Sequence, residues 1–230
     1  MKTIGLLGGM SWESTVPYFQ ILNRTVGQRL GGLHSARIFL LSVDFQEIET
    51  LQHQGRWEEL GGILAKEALA IQNAGADFLV LCTNTMHLVA PAIEDAIDIP
   101  LLHIADATAD RIRGAGVSTV GLLGTRFTME EAFYKNRLTD LHGLNVLIPS
   151  QENREVIHRV IYEELVLGRI LPESREVYKD VVGSLEAEGA EGIILGCTEI
   201  GLLLEPGDTH LPLFDTARIH AEAAAVFALG

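Results

Sequence analysis

The residues with the clearest chemical potential are Cys197, Thr198 and Glu199, which directly follow the apolar run IILG. A cysteine between a buried strand and a helix is a candidate base or nucleophile, because the helix N-terminus stabilises a thiolate. The simpler interpretation is a small buried hydrophobic residue, since free cysteine is among the most buried residue types. The surroundings of Cys197 therefore decide between the two interpretations.

Three segments of the chain occur twice, in the same order. GLLGG at 5–9 recurs as GLLGT at 121–125, ADFLVLCTNT at 76–85 recurs as AEGIILGCTE at 190–199, and IPLLHIADATA at 99–109 resembles LPLFDTARIHA at 211–221. The separations are 116, 114 and 112 residues. We therefore predict two similar halves related by a pseudo-two-fold axis.

The duplication aligns Thr83 with Cys197, Asn84 with Thr198 and Thr85 with Glu199. Ligands of open parallel sheets bind beyond the carboxyl ends of the strands. We therefore predict that Thr83 and Cys197 face each other across a cleft between the halves. Cys82 lies one residue earlier, and side chains alternate along a strand, so we expect it to point into the core.

Short apolar runs alternate with longer amphipathic segments, a pattern typical of α/β proteins with parallel sheets and helices on both faces. We predict two doubly wound domains at 1–115 and 116–230, with the option that the last strand and helix, about 209–230, pack on the first. The predicted strands are 3–7, 36–42, 78–82, 101–104, 119–123, 145–148, 193–196 and 211–214, and the clearest helices are 57–74, 153–167, 173–188 and 216–229.

Composition excludes several classes of protein. The 230 residues include 31 acidic and 17 basic ones, a formal charge of −14, which argues against a nucleic-acid partner. No segment approaches the roughly 20 apolar residues of a spanning helix, so we expect no membrane partner. Two widely spaced cysteines and no recognisable secretory signal favour the cytoplasm.

Other motifs carry less information. The pair Gly8-Gly9 lacks the GxGxxG and GxxxxGK[ST] contexts, so a tight strand-to-helix turn is the simpler interpretation than a phosphate site. The eight histidines show no metal-binding spacing, and we predict no metal. His87 lies four residues after Thr83 and fits either a packing role or a position near the cleft. Arg126 fits either a pocket wall or solvent.

Several motifs together resemble the cofactor-independent aspartate/glutamate racemase family over nearly the whole chain. They are GLLGGM at 5–10, the NT pair of Asn84 and Thr85, GLLGT at 121–125, GCTE at 196–199 and DTARIHAEA at 215–223. Within the family, the chain is most similar to the branch of broad-specificity and L-aspartate/glutamate-specific amino-acid racemases. The resemblance implies two pseudo-symmetric α/β domains, an active site between them, a homodimer and no cofactor.

The family chemistry uses two opposed cysteines, one of which removes the α-proton while the other returns a proton to the opposite face. This chain has Cys197 but carries Thr83 at the other position. The resemblance implies that Cys197 abstracts the α-proton of the L-enantiomer, with Thr83 on the far side, acting directly or through water. Because a hydroxyl does not ionise near neutral pH, the two faces are chemically unequal.

The resemblance also implies substrate-binding residues. The side chain that they accept stays open between aspartate or glutamate and a neutral polar group such as homoserine. The implied activity has two alternatives: a related cysteine-based enzyme (hydantoin racemase, maleate isomerase or an arylmalonate-decarboxylase-like lyase), or a non-catalytic two-lobed module that binds a small ligand. The implied substrate-binding residues are Met10, Gln52, Thr83, Asn84, Thr85, Thr125, Thr198 and Glu199.

Overall fold

The computed structural model describes all 230 residues and contains two four-stranded parallel sheets. All eight predicted strands are present, and their ends lie within two residues of the predicted ones. One sheet contains β1 (Ile4–Gly8), β2 (Ile38–Ser42), β3 (Phe78–Leu81) and β4 (Leu101–Leu102), and the other contains β5 (Thr119–Gly124), β6 (Asn145–Leu147), β7 (Gly192–Gly196) and β8 (Leu213–Asp215).

Helices connect the strands. The chain also contains two short 3₁₀ segments, at Thr85–Val89 and Leu165–Leu167, and one π-helical turn at Arg137–Leu141. The α-helices are α1 (Trp12–Leu30), α2 (Phe45–His53), α3 (Trp57–Asn73), α4 (Ala90–Glu94), α5 (Ile104–Gly114), α6 (Arg126–Glu130), α7 (Ala132–Asn136), α8 (Gln151–Glu163), α9 (Pro172–Ala187), α10 (Ile200–Leu203) and α11 (Thr216–Leu229).

Three of the four predicted helices are present as α3, α9 and α11, and the prediction for 153–167 needs a correction. This helix starts earlier, because the Ser150 hydroxyl accepts a hydrogen bond from the Asn153 N–H and caps α8. It also ends earlier, because Glu164 leaves the helical region with φ −125° and ψ −66°. A 3₁₀ turn then closes on Gly168, which has a left-handed φ of 70°.

The two sheets have the same topology. Their strand orders are β2-β1-β3-β4 and β6-β5-β7-β8, and every pairing is parallel. Leu7 pairs with Leu81 in the first sheet, and Leu123 pairs with Leu195 in the second. Because these four positions are related by the separations of the sequence repeat, the structure confirms the two-domain α/β fold and the alignment of its halves.

The chain divides into two compact units. Unit 1 contains 1–104 and 220–230, and unit 2 contains 105–219. Most of α5 therefore belongs to unit 2, where Asp106 accepts two hydrogen bonds of 2.7 Å from Arg137. Strand β8 also stays in unit 2, because Leu213 pairs with Ile193 in β7.

Most of α11, from His220 onward, belongs to unit 1, whereas β8 belongs to unit 2. The N–H of Lys2 donates to the Ala228 carbonyl at 2.8 Å, and the rings of Phe78 and Phe227 lie 4.8 Å apart. Both contacts fix the C-terminus to unit 1. No helix of this protein has the length and hydropathy of a membrane-spanning segment.

Buried strands explain why the repeated motifs are so apolar. Every residue of β1, β3 and β7 is buried. In unit 1, α3 covers one side of the sheet with Leu60, Leu64 and Ala68, which pack against Leu7 and Leu79. Strands covered on both faces contain few polar residues, so the first polar residues after β1, β3 and β7 mark the places where the chain leaves the core.

Candidate functional site

In unit 2, Cys197 is the first residue after β7, and its side chain is bonded to a neighbouring carboxylate. The Cys197 Sγ donates to Oε2 of Glu199 at 3.0 Å, and the Thr198 hydroxyl donates to the same oxygen at 2.8 Å. Glu199 is buried with 2% of its surface exposed, and Cys197 is 8% exposed. Cys197 and Thr198 thus hold the Glu199 carboxylate in place.

The ionisation of Cys197 differs from the sequence expectation. Burial raises the pKa of the thiol well above its usual value, and the negative charge of Glu199 raises it further, whereas the N–H groups of Glu199 and Thr198 lower it. The expected help from a helix N-terminus is small, because α10 has only four residues. The hydrogen bond that Cys197 Sγ donates to Glu199 agrees with this direction, because only the protonated thiol can donate.

Thr125 lies beside Cys197 at the same edge of the sheet. It follows β5, whose last residue, Gly124, pairs with Gly196 at the end of β7. The Thr125 hydroxyl accepts a hydrogen bond from the Thr128 N–H at 3.3 Å and caps α6. The structure therefore brings Thr125 and Cys197 to the topological switch point of unit 2, where α/β sheets bind ligands.

In unit 1, Met10 follows the tight turn between β1 and α1. Gly9 has φ 92°, and a Cβ at this position would lie 2.4 Å from the Val43 carbonyl oxygen. The Gly9 N–H donates to the Thr15 hydroxyl at 2.9 Å. Because this donor is engaged within the turn, the glycine pair serves chain geometry, as the simpler interpretation predicted. Met10 itself is buried.

Thr83, Asn84 and Thr85 follow β3, the strand beside β1, and all three are buried. Cys82 directly follows the strand, and its N–H donates to the Leu7 carbonyl at 2.9 Å. Its side chain is fully buried, and burial raises the pKa of its thiol. The prediction that Cys82 belongs to the core is confirmed, and Thr83 is the first residue beyond it.

Gln52 lies in the last turn of α2. Asp44 caps this helix by accepting a hydrogen bond from the Gln46 N–H at 3.0 Å. The buried Gln52 side chain donates from Nε2 to the Met86 sulfur at 3.7 Å. This contact brings Gln52 to the turn that carries Asn84 and Thr85.

Some residues near the site carry no sequence signal. Tyr178 in α9 is fully buried, and its pKa is raised by burial, by the nearby Cys197 and by Glu164. In the sequence, Tyr178 looks like any other apolar position of an amphipathic helix. His87 was left open by the sequence, and its Nδ1 lies 2.7 Å from the Thr83 carbonyl oxygen. Arg126 is exposed, so it belongs to solvent rather than to a pocket wall.

Sequence comparison with known families identifies the fold's relatives. A model of the family described as Asp/Glu/Hydantoin racemase matches residues 7–224. The chain belongs to the Asp/Glu/hydantoin racemase family. A crystal structure of a candidate Asp/Glu racemase from Yersinia pestis is 54% identical to this racemase, covers both chains completely and superposes with a TM-score of 0.93.

Two further relatives are more distant from this racemase. An aspartate racemase homologue from Pyrococcus horikoshii OT3 is 34% identical over the whole of both chains, with a TM-score of 0.86. The broad specificity amino-acid racemase RacX of Bacillus subtilis (strain 168) is 23% identical over 236 residues, which cover 96% of this chain and 95% of RacX. The predicted family and the predicted enzyme class, an isomerase of the racemase type, are confirmed.

The racemase has no group of three or more histidine, cysteine, aspartate and glutamate side chains that could hold a metal ion. Its acidic site residue, Glu199, is instead occupied by the hydrogen bonds from Cys197 and Thr198. The polar groups at the two switch points are a thiol, a carboxylate, hydroxyls and amides. These groups suit acid–base chemistry on a small polar substrate.

Proposed function

We propose that this racemase interconverts L- and D-amino acids of the aspartate/glutamate type, and that Cys197 removes the α-proton of the L-enantiomer. The observation that carries the proposal is the buried thiol at the end of β7, hydrogen-bonded at 3.0 Å to the Glu199 carboxylate. A thiolate is a stronger base than the Glu199 carboxylate and is easier to form than an alkoxide, so the thiol is the group best suited to accept a carbon-bound proton.

The proposed reaction starts when the amino acid binds. The α-ammonium group offsets the negative charge of Glu199, which removes one of the causes that raise the pKa of the Cys197 thiol. The thiol then releases its proton to solvent. The Sγ–H bond forms again as the Cα–H bond breaks, and the electron pair moves into the α-carboxylate as an enediolate that fixed hydrogen-bond donors stabilise.

Thr83 supplies the opposite face in this proposal. Support comes from the register, since Leu81 and Leu195 occupy equivalent positions in the two sheets, and Thr83 and Cys197 each lie two residues further on. The hydroxyl delivers a proton to Cα directly or by passing on one from water. Abstraction from the D-enantiomer is slow, because a threonine hydroxyl is a very weak acid and thus scarcely available as a base.

The remaining predicted residues bind the substrate in this proposal. Met10, Asn84, Thr85 and Gln52 surround one switch point, and Thr125, Thr198 and Glu199 the other. Their hydroxyl, amide and backbone groups suit the α-carboxylate, and Glu199 suits the α-ammonium group. The proposed chemistry needs no cofactor and no metal.

We also expect a homodimer. Unit 1 exposes apolar residues at helical spacing on α1, with Trp12 at 63%, Val16 at 44% and Phe19 at 49% exposure. The edge strand β2 exposes Phe39 and Leu40 as well. Exposed apolar patches of this kind are typical of interfaces, and light scattering measures the oligomeric state. A reactive free thiol fits a reducing compartment, and we therefore expect the cytoplasm.

Solvent deuterium exchange at Cα tests the proposal. The wild-type protein is incubated in D₂O with each L-amino acid and each D-amino acid, and incorporation is followed by NMR. We expect fast incorporation from L-aspartate or L-glutamate and slow incorporation from the D-enantiomer, with slow racemisation to an equilibrium constant near one. Equal exchange from both enantiomers contradicts the assignment of Thr83 and Cys197.

Three variants sharpen this test. Cys197→Ser abolishes exchange, whereas Cys82→Ser leaves it within about threefold, because Cys82 lies in the core. Thr83→Cys speeds exchange from the D-enantiomer. A protein that binds these amino acids but exchanges no α-proton is a binding module, and turnover of hydantoins or maleate in place of amino acids indicates the related enzymes.

A further inference from the structure

We infer that His87 is a positioning residue that holds Thr83 in place for the reaction on the D-face of the substrate. The inference rests on the proposed function and extends it to a residue that touches no substrate. It is carried by the hydrogen bonds of both ring nitrogens of His87 and by a difference between the two halves of the fold.

The first observation concerns the carbonyl group of Thr83. The turn after it is 3₁₀, so the His87 N–H donates to the Asn84 carbonyl at 3.1 Å. The Thr83 carbonyl thereby loses the partner that an α-helix would give it. The His87 imidazole takes that place, with Nδ1 at 2.7 Å from the Thr83 oxygen. Since a carbonyl only accepts, Nδ1 carries the proton.

The second observation concerns the other ring nitrogen. The N–H of Ile104, the first residue of α5, donates to His87 Nε2 at 3.3 Å. Nε2 is therefore unprotonated, and the two bonds together select one neutral tautomer. The imidazole joins the turn after β3 to the segment after β4. Both backbone groups of Thr83 are engaged, because its N–H donates to the Leu81 carbonyl at 2.9 Å.

The ring itself has little freedom to move. His87 is 2% exposed, and its centroid lies 4.3 Å from that of His103 and 6.0 Å from that of His220. His220 is anchored in turn by Tyr18, whose hydroxyl lies 3.0 Å from Nδ1, and by the Leu102 carbonyl, 2.7 Å from Nε2. His87 thus belongs to a rigid buried group behind Thr83.

The second half of the fold has no equivalent device. The separation of 114 residues that aligns Thr83 with Cys197 aligns His87 with Gly201. There, the backbone N–H of Ile200 donates to the Cys197 carbonyl at 3.1 Å, and no side chain is needed. A side-chain clamp therefore exists only on the half that carries the hydroxyl. A weak proton donor depends on orientation more than an ionisable thiol does, because it gains nothing from a shift of its pKa.

The test compares two variants that each keep one of the two bonds. The amide nitrogen of His87→Asn takes the place of Nδ1 and keeps the donor to the Thr83 carbonyl. The longer side chain of His87→Gln places its oxygen to accept from the Ile104 N–H and loses the bond to Thr83. Two rates are measured for each variant. Racemisation of L-aspartate needs both Cys197 and Thr83, which act on opposite faces of the substrate. Exchange of the α-proton of L-aspartate for deuterium needs only Cys197.

We expect His87→Gln to lower kcat for racemisation about tenfold or more, since small misplacements of reacting groups cost up to about a hundredfold. Its exchange from L-aspartate stays within about threefold of wild type, and His87→Asn restores racemisation to within about threefold. A parallel fall of both rates, or equal rates for the two variants, overturns the inference, because a purely structural role affects both faces alike.

A measurement on the wild-type protein covers the case in which neither variant folds. The ¹⁵N spectrum of the His87 ring is expected to show a protonated Nδ1 and an unprotonated Nε2, and the opposite tautomer overturns the inference. Failure of the proposed function looks different, because the wild-type protein itself then exchanges no α-deuterium. That result removes the catalytic meaning of the contact between His87 and Thr83 as well.

Discussion

The buried His220 makes the stability of unit 1 depend on pH. Its side chain is fully buried, and burial lowers the pKa of the imidazole from 6.5 to about 4, although the hydrogen bond to the Leu102 carbonyl opposes this shift. As the pH falls below 6.5, the unfolded chain takes up a proton at this residue before the folded protein does. The stabilisation is therefore complete above pH 6.5 and is lost progressively down to about pH 4.

The size of this loss follows from the difference between the two pKa values. The fall of the pKa from 6.5 to about 4 corresponds to about 3 kcal/mol in the free energy of unfolding once the pH is below 4. At pH 5 the loss relative to neutral pH is about 2 kcal/mol. The perturbation is His220→Gln, whose amide can still donate to Leu102 and accept from Tyr18 but has no proton equilibrium in this range.

Urea unfolding followed by tryptophan fluorescence measures the effect in the right part of the molecule, because both tryptophans, Trp12 and Trp57, lie in unit 1. We expect the drop in the free energy of unfolding between pH 7 and pH 5 to be about 2 kcal/mol smaller in His220→Gln than in wild type. His34→Gln is the matched control, since His34 is exposed. A drop of wild-type size in His220→Gln refutes the reasoning.

Two further predictions concern Gly9 and Glu199. Gly9→Ala lowers the free energy of unfolding in urea by more than about 2 kcal/mol, because a φ of 92° is strained for alanine and a Cβ would lie 2.4 Å from a backbone oxygen. The control Gly62→Ala, in open space on α3, raises it by about 0.5–1 kcal/mol. Equal effects of the two substitutions contradict this prediction. Glu199→Gln lowers the pKa of the Cys197 thiol, because it removes a nearby negative charge. Alkylation of Cys197 then begins at a lower pH than in the control Glu176→Gln, whose substituted side chain is exposed. An unchanged pH dependence of alkylation contradicts the idea that the Glu199 carboxylate raises this pKa.

Local sequence patterns predicted the strands and most of the helices, because each of these elements depends mainly on residues close together in the chain. Buried parallel strands read as short apolar runs, so all eight strands were found within two residues of their ends. The interruption of the helix at Glu164 was missed, because the amphipathic pattern continues through it while the backbone does not. The sequence repeat aligned Thr83 with Cys197, and the register of the two sheets agrees with this alignment.

Contacts between distant residues were beyond the reach of such patterns. The limits of the two units depend on where α5 and the larger part of α11 pack, through contacts such as those of Asp106 with Arg137 and Lys2 with Ala228. The ionisation of Cys197 was expected to be helped by a helix dipole, but α10 is short and burial beside Glu199 dominates. His87 could not be assigned either, because its second partner, Ile104, comes 17 residues later.

By itself, the sequence determined the α/β class, the duplication, the core position of Cys82 and the family to which the chain belongs. These features follow from hydrophobic periodicity and from short motifs, which depend on residues close together in the sequence. The tertiary structure alone decided that Cys197 rests as a thiol beside a buried carboxylate and that an imidazole holds the Thr83 turn. Desolvation and hydrogen-bond partnership depend on every group packed around an atom, and only folding brings those groups together.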